Sequence, residues 1–402
     1  MESVLSCPHF PACSGCKSIG VPYAEQLEAK LRAVRALFEV SKLGTLSPAS
    51  IERITSSPKP YGYRNRVRLV PKRQGAHVAL GLYQAGSHRV VDVPGCPVQS
   101  DGINTCVEAV RSAIEAFSVN LYDEREHTGD LRYVSIREAA ATRELLVGLV
   151  TAAEPFAPGR AVARYLADQC QNVVGVVQNI NPKKGNVIFG PTTRPLCGRE
   201  YIEDQVCDVR VRLDLTSFFQ ANTAVAEKVY EAIARHVTPT SRSSADHKTQ
   251  TVMLDLYAGV GTIALIASAV VDRVIAVEEF EGAVALARTA AAVNNRHNIE
   301  FRCGLAEDLL PQIAGELRRR RGDADVVAAV NPPRKGLDAS AVTGLINLAP
   351  ARVAYLSCAP RTLIRDLVAF ERGGYRIERL ELFDMFPQTD QVETLVLLER
   401  RA

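Results

Sequence analysis

From residue 251 onward, short apolar runs alternate with amphipathic stretches, and this alternation leaves few folds open. VMLDLY (252–257), VIAVEE (274–279), IEF (299–301), VVAAVN (326–331), VAYLSC (353–358) and VETLVLLE (392–399) read as strands. Most are nearly continuous in Val, Leu, Ile and Ala, as strands buried on both faces must be. Helical patterns lie between them, one with Ala283, Ala287 and Ala291 on a single face. Strands joined in this way predict a mostly parallel, doubly wound α/β sheet. Such sheets hold ligands outside the carboxyl ends of their strands. The polar and reactive residues fall at those ends: Asp255 and Tyr257, Glu278, Asn331, and Cys358.

GVGTIA (259–264) satisfies the dinucleotide pattern G-x-G-x-x-A, which by itself suits a nicotinamide enzyme. The wider context, DLYAGVGT with Glu278 ending the next strand, suits S-adenosylmethionine better. Glycines let the backbone approach that ligand, and a carboxylate at the second strand end accepts both ribose hydroxyls. NPPRKG (331–336) follows the fourth strand, its prolines stiffening a loop that presents the Asn331 amide. Cys358 ends the fifth strand just before a helix starting near Arg361. That placement predicts a thiol pKa lowered by the helix start, hence a nucleophile. Glu393, near the start of the last strand, reads equally as a general base or a salt-bridge partner.

The first hundred residues carry a different signal. No apolar run of this 402-residue chain approaches the ~18–20 residues that span a bilayer. A cytoplasmic chain is expected, and its ten cysteines then read as metal-binding or catalytic rather than as disulfides. Cys7, Cys13 and Cys16 form a C-x5-C-x2-C run, and Cys96, in the turn VPGCPV, is the best fourth candidate. Three or four thiolates suit a [4Fe–4S] cluster or a zinc ion, and spacing does not separate the two. Cys106 lies in a helical pattern and reads as core.

The net charge of +3 conceals an uneven distribution. Residues 1–100 hold 13 Lys and Arg against 6 Asp and Glu. From Arg53 to Arg73 there are seven basic side chains and no acidic one. Arg64, Arg66 and Arg68 alternate along a strand and so share a face, with Tyr61 and Tyr63 just before them. Arginines for phosphates beside rings for stacking are the chemistry of an RNA contact. Residues 101–212 read as an α+β layer. Its helices are DGINTCVEAVRSAIEAF and AVARYLADQC; its strands are LRYVSIREA, ELLVGLVTA, VVGVVQNI and NVIFG, the last two flanking the turn NPKKG. TPTSRSSADHKTQ (238–250) reads as an exposed loop.

Together these segments resemble the RNA uracil-C5 methyltransferase family, which makes 5-methyluridine. The matching stretches are CPHFPACSGC with GCPV, YRNRVRL, GDLRYVSIRE, SFFQAN, DLYAGVGT, NPPRKG, SCAPRTLIRDL and FDMFPQTDQVETL, in the family's order over nearly the whole chain. The resemblance implies a Rossmann-like S-adenosylmethionine-dependent methyltransferase domain over 213–402. An α+β RNA-binding domain precedes it, with an iron–sulfur site and basic strand in 1–100 and the remainder in 101–212. It implies that Cys358 attacks C6 of a flipped-out uracil and that Glu393 removes the C5 proton. Gln220, Tyr257, Glu278 and Asn331 fall where the family binds the methyl donor. Cys7, Cys13, Cys16 and Cys96 correspond to [4Fe–4S] ligands. Arg64 corresponds to an arginine facing the target base, and Arg66, Arg68 and Phe218 are assigned to the RNA.

Two positions depart from the family pattern: Asn331, where many members have Asp, and Gln391, where His is usual. The four cysteines, without the N-terminal β-barrel extension of some members, make the chain most similar to the short iron–sulfur 23S rRNA branch. A monomer acting on 23S rRNA is therefore expected, with tRNA as the alternative substrate. Three rival readings remain. An adenine or glutamine amino-methyltransferase carries an aromatic residue after N-P-P, where this chain has Arg334. A nicotinamide or iron–sulfur oxidoreductase would use G-x-G-x-x-A and the cysteines for electron transfer. A catalytically silent RNA-binding protein would use the cluster only as a scaffold.

Overall fold

The computed structural model describes residues 5–41, 43–44, 51, 53–239, 250–319 and 324–401. Most of the 238–250 loop expected from the sequence therefore lies outside the described residues. Helix α1 (Tyr23–Glu39) and strand β1 (Ile54–Thr55) come first, then β2 (Arg66–Gln74), β3 (His77–Tyr83) and β4 (Val90–Asp92). Helix α2 (Asp101–Ala116), β5 (Leu131–Glu138), β6 (Leu145–Thr151), α3 (Gly159–Gln169), β7 (Val173–Ile180) and β8 (Thr192–Gly198) follow. The hairpin β9 (Tyr201–Val206) and β10 (Val209–Asp214) leads to α4 (Thr223–Val237). Next come β11 (Thr251–Leu256), α5 (Thr262–Ala267), β12 (Arg273–Glu278), α6 (Glu281–Val293), β13 (Ile299–Cys303) and α7 (Ala306–Arg319). The chain ends through β14 (Asp325–Val330), α8 (Ala339–Leu348), β15 (Arg352–Ser357), α9 (Pro360–Arg372), β16 (Tyr375–Phe383) and β17 (Glu393–Arg400).

Two sheets organise these elements. The first runs β4-β3-β2-β5-β6-β7-β8, antiparallel except for the parallel pair β6–β7. Period-two alternation decides what each face of β2 does. Val67 and Leu69 point into a core shared with Ile103, Val107 and Val110 of α2 and with Val162 and Leu166 of α3. Arg66, Arg68 and Val70 therefore occupy the opposite face. NVIFG is not a strand: β7 pairs instead with Thr192–Gly198. The reason is local. Asn179 and Asn181 tie down residues 187–193 with their side-chain amides, as when Asn181 Nδ2 donates to the Val187 carbonyl at 2.6 Å and the Ile188 carbonyl at 2.9 Å.

The second sheet runs β1-β16-β17-β15-β14-β11-β12-β13. The six strands read from the sequence are all present, and β1 and β16 extend the sheet. β17 runs antiparallel to both its neighbours, β15 and β16. The strand order reverses at β11, which lies between β12 and β14, so the ligand crevice is expected at the carboxyl ends of β11 and β14.

Residues 23–55 pack with this second sheet although they precede the basic strand. Leu31, Val34 and Phe38 of α1 share a core with Leu363, Leu367 and Phe370 of α9, and β1 pairs in parallel with β16. Helix α1 also holds the segment before β17. The Lys30 ammonium lies 2.5 Å from Asp384, both nearly fully buried, and the Tyr23 hydroxyl donates to the other Asp384 oxygen at 2.8 Å. Gln26 Nε2 donates to Gln388 Oε1 at 2.9 Å. No described helix is long and apolar enough to cross a membrane.

Candidate active site

A cavity of about 890 Å³ opens where the carboxyl ends of the second sheet meet the arginine face of the first. Cys358, Glu393, Gln220, Tyr257, Glu278, Asn331, Arg64, Arg66, Arg68, Phe218 and the cysteines 7, 13, 16 and 96 all line it. Residues from four distant parts of the sequence thus converge on one space.

The register of β17 sets the reactive pair. Ser357 pairs with Thr394 across the antiparallel ladder, so Cys358 and Glu393 take the next positions side by side. Cys358 is half-buried and Glu393 only 4% exposed. Burial raises the Glu393 carboxyl to about 8, and Arg334 opposes the shift. The Cys358 thiol is also raised, first by burial and then by Glu393, with Arg334 pulling it down. This corrects the lowered thiol expected from the helix start. Helix α9 begins at Pro360, two residues on, and desolvation outweighs the helix terminus.

Arg334 lines the cavity and acts on the charge of both Cys358 and Glu393, a position the sequence did not reveal. It reaches the cavity because the 331–337 loop is pinned to α9. The buried Asp366 accepts from the Leu337 N–H at 2.9 Å and the Tyr355 hydroxyl at 2.6 Å, and pairs with Arg365 at 2.7 Å. The Thr362 hydroxyl donates to the Arg334 carbonyl at 3.1 Å. Gly336 sits at φ +77° with Arg365 and Asp366 less than 3 Å from where a Cβ would lie, so the turn admits only glycine.

Tyr257 and Asn331 flank the crevice at the ends of β11 and β14. Tyr257 holds φ +62°, a left-handed conformation that costs a non-glycine residue about 1–3 kcal/mol and is concentrated at ligand sites. Glu278 accepts from the Gly259 N–H at 2.8 Å and the Phe280 N–H at 3.0 Å, which fixes its carboxylate and leaves lone pairs toward the cavity. Behind it Asp255, fully buried, accepts from the Ala264 N–H at 2.9 Å and has one oxygen without a partner. Burial raises its carboxyl to about 7. Gln220 is held by its backbone, whose carbonyl accepts from Asn65 Nδ2 at 2.9 Å. Phe218, in the same loop, is 61% exposed.

The three arginines differ in their surroundings. Arg66 is not free: its guanidinium donates to the Leu215 carbonyl at 2.5 Å and the Ser217 carbonyl at 3.1 Å. Its task in the fold is to hold the loop that carries Phe218, and the buried Arg137 donates to the same Ser217 carbonyl. Arg68 is exposed, with its guanidinium 5.0 Å from the Phe189 ring. Burial first, then Arg137 and Arg68, depresses the Arg66 pKa, the mark of crowded cations. Arg64 sits near enough to Cys16 and Cys96 for each to feel its charge, and its Nε has no hydrogen-bond partner.

The four cysteines line the cavity near enough to one another for Cys16 to feel the charge of the other three. Burial, then Cys96, and with smaller effect Cys13 and Cys7, push the Cys16 thiol up to about 12. The Gly15 N–H donates to the Cys13 sulfur at 3.4 Å, and Cys96 receives the N–H groups of Val98 and Gln99. Among the described residues no group of three His, Cys, Asp or Glu side chains is gathered as a metal site.

Known proteins resemble the chain over most of its length. A model of the tRNA (uracil-5-)-methyltransferase family matches residues 186–401. An uncharacterized RNA methyltransferase of Gloeobacter violaceus is 34% identical over 98% of this chain and 82% of its own. Another, of Thermosynechococcus vestitus, is 36% identical over 96% of this chain and 82% of its own. The crystal structure of Pyrococcus abyssi tRNA (uracil-54, C5)-methyltransferase in complex with S-adenosyl-L-homocysteine superposes with a TM-score of 0.75 at 25% identity, covering 96% of this chain and 86% of that one. With half of its length matched by the family model and nearly all of it by these relatives, the chain belongs to the tRNA (uracil-5-)-methyltransferase family.

Proposed function

We propose that the protein transfers a methyl group from S-adenosylmethionine to C5 of a uridine in RNA, through a covalent bond between Cys358 and C6 of the uracil. The observation that carries this reading is the antiparallel β17, which sets the Glu393 carboxyl beside the Cys358 thiol inside the cavity that Glu278, Tyr257 and Asn331 also line. Uracil C5 is too weak a nucleophile to take a methyl unaided, so addition at C6 must come first.

The Cys358 thiol gives its proton to solvent, and the thiolate, which Arg334 favours, adds to C6 and leaves C5 and O4 carrying the electron pair. S-adenosylmethionine supplies the methyl cation that C5 accepts. Glu393, once it has released its own proton to solvent, then removes the C5 proton as a carboxylate, and the electrons of that C–H bond re-form C5–C6 and expel Cys358 as thiolate. The fixed Glu278 carboxylate is suited to the ribose hydroxyls, and the Asn331 amide to a flat ring edge. A base buried in folded RNA must be extruded first, at a cost of roughly a few kcal/mol. Exposed Arg68 and Phe218 at the cavity are suited to phosphate and base contacts that offset that cost.

RNA carrying 5-fluorouridine at the target, incubated with S-adenosylmethionine, is expected to remain covalently attached to the protein on a denaturing gel. Fluorine cannot leave as a proton, so elimination stalls. Methylation of ordinary RNA with no adduct to the fluorinated RNA rules out the Cys358 route. The proposed target is 23S rRNA, the substrate favoured by the cysteine set. Mapping of 5-methyluridine in a deletion strain checks it, since loss from tRNA alone reassigns the substrate.

Cys7, Cys13, Cys16 and Cys96 are proposed as ligands of a [4Fe–4S] cluster. Four soft donors lining one cavity, two of them receiving backbone N–H groups at sulfur, have the ligand chemistry of such a group, and their side chains would have to draw together to hold it. When bound, it would tie the N-terminal loop to the turn at Cys96, beside Arg64. An anaerobic preparation is expected to be brown and to contain iron, with Cys13→Ser losing both properties; a colourless protein containing zinc refutes the assignment.

A further inference from the structure

The arginine face of β2 does not end at the cavity. Arg66 and Arg68 line it, and the next residue on that face, Val70, lines a separate hollow of about 180 Å³. At about 3.3 Å per residue, Val70 lies about 7 Å beyond Arg68 and about 13 Å beyond Arg66. Val70 belongs to a small apolar cluster with Ala79 and Val90, and the rings of Tyr83 and Tyr133, which pack against that cluster, line the hollow with it. Tyr122, His88 and His127 complete a wall of flat rings.

The polar groups here are ordered. Glu124 accepts from the Tyr83 hydroxyl at 2.8 Å and is also in hydrogen-bond contact with the His88 ring. Tyr122 and His127 are bonded at 3.1 Å. Arg132, 6% exposed, lies 4.8 Å over the Tyr122 ring. It donates to the Asn181 carbonyl at 2.7 Å and the Lys183 carbonyl at 2.6 Å, yet its Nε has no partner. A buried donor without a partner, on the wall of a ring-lined hollow, is the feature that an incoming acceptor would satisfy.

The 181–191 segment joins this hollow to the main cavity. Gly185 and Asn186 border the hollow, Phe189 lies against Arg66 and Arg68, and Lys183 and Lys184, immediately before Gly185, are exposed. From the sequence these two lysines belong only to the turn NPKKG. Their position puts two exposed positive charges next in the chain to the rim of a nucleobase-sized hollow.

The geometry points to the Tyr83–Tyr122–Tyr133 hollow as a second RNA-binding site, which stacks an unpaired base flanking the target while Lys183 and Lys184 hold the adjoining phosphates. This inference rests on the reading of the protein as an RNA uridine methyltransferase. The main cavity would take the base to be modified, and the hollow would fix how the RNA strand leaves it. Stacking tolerates any base, so the site would contribute affinity and register more than sequence choice.

Tyr122→Ala is expected to raise KM for the methylated RNA about tenfold, the scale of one lost base stack, with kcat and KM for S-adenosylmethionine unchanged. Tyr122→Phe keeps the ring and is expected to restore wild-type KM. An RNA with one abasic nucleotide at the flanking position should weaken the wild type and leave Tyr122→Ala unaffected. In case Tyr122→Ala fails to fold, the wild-type protein provides an independent measurement. RNA with 5-iodouridine placed at each neighbouring position in turn is irradiated and the crosslinked peptides are mapped. Crosslinks to Tyr83, Tyr122 or Tyr133 support the site. Normal Cys358 adduct formation with KM unchanged in Tyr122→Ala, or with crosslinks only to main-cavity residues, overturns it while leaving the methyltransferase reading intact. Absence of the adduct with active RNA overturns both.

Discussion

Cys358→Ala is expected to reduce methyl transfer by at least about 10⁴-fold and to abolish the adduct with 5-fluorouridine RNA. The size of the effect follows from the chemistry. Without addition at C6 there is no electron pair at C5, and no other described cysteine lines the cavity near Glu393. The cysteines at 7, 13, 16 and 96 lie by Arg64 rather than by Glu393. Binding of S-adenosylmethionine is expected to stay within about twofold, because the residues proposed to hold it stand on other strands. Isothermal titration with S-adenosylmethionine and single-turnover methylation of RNA separate the two effects. A variant that still methylates above about 1% of wild type would remove Cys358 from the mechanism.

Glu393→Gln is expected to have two opposite effects. With ordinary RNA and S-adenosylmethionine, a methylated protein–RNA adduct should accumulate, since an amide cannot take the C5 proton and Cys358 stays bound. The adduct is read on a denaturing gel, and free 5-methyluridine from wild-type-like turnover would exclude Glu393 as the base. In the ligand-free protein the same change should stabilise the fold at alkaline pH. Burial holds the Glu393 carboxyl at about 8 against an ordinary 4.5. The folded state therefore keeps its proton where the unfolded chain has lost it, and wild-type stability falls as pH rises from about 4.5 to about 8. Glutamine does not titrate. The advantage of Glu393→Gln should be absent near pH 4 and reach a few kcal/mol above pH 8, visible as a higher Tm. Cys358 and Arg334 face this carboxyl and Tyr230 lies close behind it, so the profile is best measured in the Cys358→Ala background as well.

Both predictions depend on β17 and on the arm that holds the segment before it. Asp384 is fully buried and bonded to Lys30 and Tyr23 of α1, and Gln388, at φ +69°, is gripped by Gln26. The alternating apolar and charged residues of YAEQLEAKLRAVRALFE are a legible helical pattern. Nothing in them says that the helix would cross from the beginning of the chain to clamp the residues before the proposed base.

The sequence alone determined six strands of the second sheet and most of the candidate positions at their ends. Apolar runs separated by helical periods dictate a doubly wound sheet, because only that arrangement buries both faces of such strands. The rule that ligands gather at carboxyl strand ends then picked out Tyr257, Glu278, Asn331 and Cys358, all of which line the cavity. Alternation likewise put Arg64, Arg66 and Arg68 on one face, and the clustering of basic residues in the first quarter pointed to an anionic partner. Local pattern could not supply direction or partnership. Whether β17 enters parallel or antiparallel is a long-range choice, and it decides that Glu393 meets Cys358. Whether an arginine faces RNA or a backbone carbonyl depends on what packs opposite it, and Arg66 meets Leu215 and Ser217. The thiol and carboxyl pKa values rise because tertiary burial removes water from both groups, an effect that no helix terminus two residues away can outweigh. The identities of the groups were written in the chain; their directions, neighbours and charges were set by the fold.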